Sequence, residues 1–293
     1  MKSEQYKKSF FENMISQPLI MVVSDLDGTL LGPDHRISEQ DYQLLQLLKT
    51  KNVYRVVATG RSVYSANKVL PTEFPIDYLI FSSGAGVMDW TQQEILLERS
   101  LTASETAFLA NFLIQLKMDF MIQMPIPDNH HFLFFDSQVR PNPDFWRRIE
   151  IYQGFAAPLQ QPIDTIGASS EFVVIIPDGV TVYDQIKCQL PQFNVIRATS
   201  ALDGKSIWVE ILPKNVSKAT ATAWLCERLG CPREMVLGIG NDYNDLDLLN
   251  WTGHSFVVEN APIELKNKFR CTASNAESGF SHAVREWFPQ LLE

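Results

Sequence analysis

Apolar and polar positions along the chain follow two rhythms. Leu19–Ser24 is an almost unbroken apolar run, the pattern of a buried strand. Ser38 is placed to cap a helix running to about Thr50, in which Tyr42, Leu44, Leu45, Leu47 and Leu48 supply apolar faces. Val53–Ala58 then predicts a second strand, Ser62–Leu70 a helix and Ile76–Phe81 a third strand. Strands alternating with helices predict an α/β fold built on a parallel, doubly wound sheet.

The rhythm changes after Ser83. Val87–Trp90 and Glu94–Glu98 read as a hairpin, Ser104–Leu116 as an amphipathic helix, and Phe120–Gln123 and His131–Phe135 as strands around the turn-rich Pro125–Asn129. Arg140–Tyr152 and Val180–Leu190 read as helices, and Glu171–Ile176, Phe193–Ala198 and Ile207–Ile211 as strands. From Pro213 the α/β rhythm returns: helix over Ser217–Leu229, strand over Met235–Ile239, helix from Leu246 and a short strand over His254–Val258. The expected organisation is an N-terminal extension (1–18), a doubly wound core from 19–83 and 207–293, and an inserted α+β cap over 84–206. Residues 1–18 are expected to be a frayed terminus.

Composition narrows the class. The 293 residues are 45% hydrophobic and 20% charged, as in an ordinary soluble globular protein. A formal net charge of −9 argues against a broad nucleic-acid footprint, which needs a basic face. It leaves room for a small anionic ligand held by local cations. No run approaches the roughly 20 apolar residues of a membrane span, and the start of the chain lacks a secretory pattern. Cys188, Cys226, Cys231 and Cys271 form no CxxC pair and read as small buried hydrophobes in a reducing compartment. A cytoplasmic protein is expected, with no membrane or nucleic-acid partner; the oligomeric state is not legible.

The chemistry concentrates where apolar runs end. Met21-Val22-Val23-Ser24 leads into Asp25-Leu26-Asp27-Gly28-Thr29. Residues i and i+2 of an extended chain point to one face, so Asp25 and Asp27 converge. Two such carboxylates repel and call for a cation. An Asp beside a hard cation is also a nucleophile toward phosphorus. Thr59-Gly60-Arg61 ends a second strand, where a hydroxyl and amides can receive a phosphoryl oxygen. Lys218 opens a helix, and Gly240-Asn241-Asp242-Tyr243-Asn244-Asp245 ends a later strand, crowded with carboxamides and carboxylates. Strand ends at one edge of an open α/β sheet are where ligands bind.

DxDGT, then TGR, then a lone lysine, then this last cluster: the order resembles the haloacid dehalogenase superfamily of phosphatases. The long insert resembles the Cof-type subfamily with a large α/β cap, similar to sucrose-phosphate phosphatases. The resemblance covers nearly everything from Leu19 onward. It implies Asp25 as the nucleophile that becomes an aspartyl-phosphate, and Asp27 as general acid and then base. It implies Thr59 as the phosphate-holding hydroxyl and Lys218 as the lysine that offsets charge. Gly28, Thr29, Gly60, Arg61 and Asn244 are implied in phosphate or substrate contact. Mg²⁺ is the implied cofactor, held by Asp25, the carbonyl of Asp27, Asn241, Asp242 and Asp245. The family's fourth motif usually reads G-D-x-x-N-D. Here Asn241 stands at the ligand aspartate, keeping a carbonyl donor but losing one charge, which leaves Asp242 or Asp245 to carry more of the role. Ser83-Gly84-Ala85 replaces the frequent Asn-Gly-Ala.

The expected activity is Mg²⁺-dependent hydrolysis of a small phosphorylated metabolite, foremost a sugar phosphate. A phosphomutase of similar fold and a phospho-ligand-binding protein without turnover are the alternatives. The cap is expected to carry specificity. Within it, Asp128, His130 and His131 are candidates, although a solvated loop is the simpler reading of that segment.

Overall fold

The computed structural model describes residues 19–160, 162–177 and 179–289; the extension expected over 1–18 lies outside them. The chain opens with β1 (Ile20–Ser24), α1 (Glu39–Thr50), β2 (Val53–Ala58), a single turn α2 (Val63–Ala66), β3 (Tyr78–Phe81), β4 (Gly86–Asp89) and β5 (Glu94–Glu98). A second group follows: α3 (Ala103–Gln115), β6 (Phe120–Gln123), β7 (Phe132–Phe135), α4 (Pro143–Ile151), β8 (Ala156–Pro158), β9 (Glu171–Ile176), α5 (Val180–Gln189), β10 (Phe193–Thr199) and β11 (Ile207–Pro213). The chain then returns with α6 (Lys218–Leu229), β12 (Val236–Gly240), α7 (Leu246–Trp251), β13 (His254–Val258), α8 (Ile263–Lys266), β14 (Arg270–Thr272) and α9 (Gly279–Trp287).

The strands form an eight-stranded sheet, ordered β14-β13-β12-β1-β2-β3-β4-β5, and a six-stranded sheet, ordered β10-β11-β9-β6-β7-β8. From β14 to β3 all neighbours are parallel; β4 and β5 add antiparallel strands at the edge. The chain leaves β1 toward β2 and later returns to β12 on its other side. The carboxyl end of β1 is therefore a switch point, where two loops diverge and leave a crevice.

Local chemistry supports this frame. Ser38 accepts the Asp41 N–H at the start of α1, and Ser217 accepts the Thr220 N–H at the start of α6, each satisfying an orphan helix donor. Gly230 ends α6 in the left-handed conformation (φ 71°). Alternate residues of β1 serve opposite faces. Val22 packs in the cluster holding Leu44 and Leu48 of α1, while Met21 and Val23 join Ala221 and Leu225 of α6. Burying each such side chain contributes about 1.5–3 kcal/mol. The second sheet has its own core, where Phe172, Val174 and Ile176 meet Leu109 and Leu113 of α3. No helix among the described residues is long and apolar enough to cross a membrane.

Three expectations need correction. The hairpin β4–β5 was expected in the insert, but it extends the larger sheet: β4 pairs with β3, from Tyr78↔Asp89 to Phe81↔Gly86. The tight turn over Ser82–Gly84 folds the chain straight back, and Val87 joins the core cluster of Val56 and Ile80. Conversely, the boundary after 206 puts β11 in the core, whereas the strand rhythm groups Ile207–Ile211 with the insert; it pairs with β10 and β9 in the smaller sheet. The expected boundaries at 84 and 206 therefore do not follow sheet membership, which changes after Glu98 and again after Pro213. The helix expected over Ser62–Leu70 reduces to the single turn α2, since only Ser62 supplies a strong start and Pro71 follows closely.

Candidate active site

The carboxyl ends of β1, β2 and β12 lie side by side, so Asp25, Thr59 and Asn241 arrive at one rim. Backbone bonds extend the ladders to fix them: the Asp25 N–H donates to the Ile239 carbonyl (2.9 Å) and the Thr59 N–H to the Ile80 carbonyl (2.8 Å). From behind the rim comes Lys218, the first residue of α6 and wholly buried. Its Nζ donates to Asp25 Oδ1 (2.7 Å) and to Asp245 Oδ1 (2.6 Å). One ammonium thus faces two buried carboxylates. Burial works against its charge, but Asp245 and Asp25 outweigh it and raise the Lys218 pKa above the ordinary lysine range. The trio has a surplus of negative charge. Burial first, then Asp245, push the Asp25 carboxyl above its usual range, with Lys218 pulling the other way.

Asp27 is held differently. Arg61 reaches across from the β2 end and grips it with both arms, Nε to Oδ2 (2.7 Å) and Nη2 to Oδ1 (2.6 Å). Such bidentate pairs are directional and strong. Thr59 Oγ1 accepts the Arg61 N–H (3.1 Å), which keeps its own proton available for a ligand oxygen. Gly28 takes φ +79°, and a Cβ there would fall 2.4 Å from Asn241 Nδ2. Only glycine lets this loop pass so close to Asn241.

The loop after β12 divides its polar groups. Asn241 Oδ1 accepts the Thr29 hydroxyl (3.2 Å). Asp245, fully buried, accepts the Asn241 and Asp242 N–H groups on Oδ2 (2.8 and 3.2 Å). Both Asp245 oxygens are thereby engaged within the fold. The Asp242 carboxylate turns to the other sheet, accepting the Thr199 N–H (2.6 Å) and hydroxyl (3.0 Å) at the end of β10. Burial raises the Asp242 pKa, and the Thr199 bonds oppose the rise.

In front of the rim lies a cavity of about 670 Å³, lined by both sheets. Of the residues read from the sequence, Asp25, Asp27, Gly28, Thr59, Gly60, Arg61, Asn241, Asp242 and Asn244 line it. Lys218 and Asp245 stand behind it. Thr29, implied as a phosphate contact, is buried outside the lining and holds Asn241 instead. The segment read as a solvated loop is partly inside: Asn129 is buried and lines the cavity, and its amide donates to Ser82 Oγ (2.6 Å). His130 also lines it, stacked on Tyr64 with ring centroids 4.6 Å apart.

Sequence reading missed the wall contributed by the smaller sheet and α4: Gln123, Arg148, Glu171, Trp208 and Glu210. Glu210 Oε2 accepts the Ser83 hydroxyl (2.5 Å), and its Oε1 would lie 3.1 Å from a Cβ on Gly60. A glutamate inside the apolar run of β11 was the available signal, because a lone charge in a buried strand demands a partner.

The donor set bears on the implied cation. Among the described residues, no three His, Cys, Asp or Glu side chains cluster to hold a metal. The rim does offer oxygen donors, which suit a hard ion: one oxygen of Asp25, the Asn241 carbonyl and the backbone of Asp27. The residues fit Mg²⁺ as a mixed set of carboxylate, carboxamide and carbonyl. Asp242 turns to Thr199, and Asp245 to Lys218 and the loop amides.

Comparison with known proteins supplies the family. The profile of haloacid dehalogenase-like hydrolases matches residues 22–284. The chain belongs to this family. Among curated haloacid dehalogenase-like relatives, a putative phosphatase of Bacillus subtilis is 28% identical over 277 residues, covering 91% of this chain and 97% of its own length. An HMP-PP phosphatase of Klebsiella pneumoniae is 28% identical over 270 residues, covering 90% and 93%. A solved subclass IIB sugar phosphatase superposes with a TM-score of 0.73 at 17% identity, over 92% of this chain and 98% of that one, which shows the shared fold.

Proposed function

We propose that this haloacid dehalogenase-like hydrolase is a Mg²⁺-dependent phosphatase of a small phosphorylated metabolite, foremost a sugar phosphate. One observation carries the reading: the buried Lys218 joining Asp25 to Asp245 at the carboxyl end of β1, with Asp25 lining the cavity. Lys218 holds Asp25 Oδ1 and leaves Oδ2 as the oxygen that attacks phosphorus, forming the aspartyl-phosphate. Thr59 and the Gly60 amide receive a phosphoryl oxygen. Asp27 protonates the leaving oxygen and then takes a proton from the attacking water. To do so it must loosen from Arg61, whose fork matches the incoming phosphoryl group as well as it matches a carboxylate. Mg²⁺ held by Asp25, Asn241 and the Asp27 carbonyl would supply charge neutralisation between nucleophile and phosphate. The free cysteines fit a reducing compartment, the cytoplasm in this reading.

The test is phosphate release from p-nitrophenyl phosphate and a sugar-phosphate panel, with Mg²⁺ and with chelator. Turnover with Mg²⁺ and its loss with chelator are expected. Turnover that survives Asp25→Asn would overturn the proposal. Asn241 in place of a ligand aspartate favours one second reading, a phospho-ligand-binding protein without turnover, which the same panel separates by tight binding with no phosphate release.

A further inference from the structure

Opposite the rim, the smaller sheet presents polar atoms with no partner. Gln123 and Glu171 are directly paired across β6 and β9, so their side chains share one face at close range. They are 2% and 5% exposed, yet Gln123 Nε2 and Glu171 Oε2 meet no hydrogen-bond partner among the described residues. Arg148 Nε, also lining the cavity, is unpartnered as well. Leaving a buried donor or acceptor unpaired costs about 1–3 kcal/mol each. Three such residues lining one cavity give a polar ligand something to complete.

The pattern specifies what kind. Glu171 and Gln123 offer an acceptor and a donor from paired positions of one cavity wall, and a hydroxyl group can be held between the two side chains. A second hydroxyl can accept from Arg148 Nε. A planar ring would need an open aromatic face. Arg148 already covers one face of Trp208 (4.6 Å) and one of Tyr152 (5.3 Å). Glu210, opposite Val173 and against Gly60, marks the phosphoryl side; Glu171 lies one diagonal step away on the same face, roughly 7–8 Å along the sheet.

Resting on the phosphatase reading above, we propose that Glu171 and Gln123 are the residues that read the leaving group, and that they select a polyol or sugar by gripping one of its hydroxyls between them. Substrates without that hydroxyl leave both side chains unpaired and are disfavoured.

The experiment compares ribitol 5-phosphate and glucose 6-phosphate with p-nitrophenyl phosphate, in the native chain, Glu171→Gln and Gln123→Ala. The expected result is a fall of about 10- to 100-fold in the ratio of kcat/KM for the better polyol phosphate to that for p-nitrophenyl phosphate, in both variants, the cost of leaving one buried polar partner unpaired. Measurable p-nitrophenyl phosphate turnover shows that a variant has folded. A ratio unchanged within about twofold in both variants overturns the proposal. Calorimetric binding of the same polyol phosphates to Asp25→Asn, with and without Glu171→Gln, reads the subsite without turnover. Weakened binding there upholds the hydroxyl grip even if the native chain releases no phosphate, in which case the phosphatase reading alone fails. Tighter binding of p-nitrophenyl phosphate than of either polyol phosphate overturns the polyol class.

Discussion

The two walls of the cavity treat their charges in opposite ways. On the rim of the larger sheet, the charged groups are matched before any ligand arrives: Lys218 with Asp25 and Asp245, Arg61 with Asp27. On the opposite wall, Gln123 and Glu171 of the smaller sheet and Arg148 of α4 keep atoms unmatched. A wall that performs chemistry needs its groups fixed in advance, because reorganisation during the reaction adds to the barrier. A wall that recognises can leave groups unsatisfied, because the right ligand gains by completing them.

Substitutions test that contrast. The largest effect is expected from Asp25→Asn on the rim, a loss of phosphate release by roughly four orders of magnitude, because no other carboxylate at the rim replaces it. Next is Lys218→Met, which strands two buried carboxylates and is expected to destabilise the fold by about 3–5 kcal/mol in denaturant titration. Arg61→Ala breaks a pair whose side chains are 22% and 29% exposed, and is expected to cost less than about 1 kcal/mol. Equal losses in the two would remove the distinction between the sealed and the open half of the rim. Asn241→Asp restores a negative charge at the cation site and is expected to lower the Mg²⁺ concentration for half-maximal turnover by roughly tenfold. An unchanged requirement counts against Asn241 as a ligand.

The smallest effect concerns pH and the recognising wall. Burial, with Glu210 nearby, lifts the Glu171 pKa well above the usual 4.5, so the folded protein keeps a proton that the unfolded chain has released. Stability must then fall as pH rises through and above that value. Glu171→Gln removes the group, and its stability is expected to fall less between about pH 5 and 8 than that of the native chain. Parallel curves would show that Glu171 is not strained by its burial.

The chemistry of the rim was legible because it is local. Asp25 and Asp27 are two residues apart, Thr59 and Arg61 likewise, and each group sits where an apolar run stops. The parallel sheet then brings those ends together by topology alone. Asp245 and Asp242 show the limit: their positions were readable, but not that one faces Lys218 and the other Thr199, which depends on how a short loop turns. The recognising wall was not legible, because Gln123, Glu171 and Glu210 lie on strands that meet only through long-range antiparallel register. The misassigned strands β4, β5 and β11 share a cause. Each lies where the chain passes from one sheet to the other, and an apolar strand carries no mark of which sheet will receive it.

One connection remains consequential. Strand β11 carries Glu210 against Gly60, and the chain then runs through Pro213 and Ser217 directly into Lys218 at the head of α6. Asn194 Nδ2 clasps the Val216 carbonyl of this connector (2.7 Å), and Arg99 clasps the Asn215 carbonyl (2.7 Å). The strand that faces the cavity's occupant and the ammonium beside the nucleophile are thus joined by one short connector, pinned at two successive carbonyls.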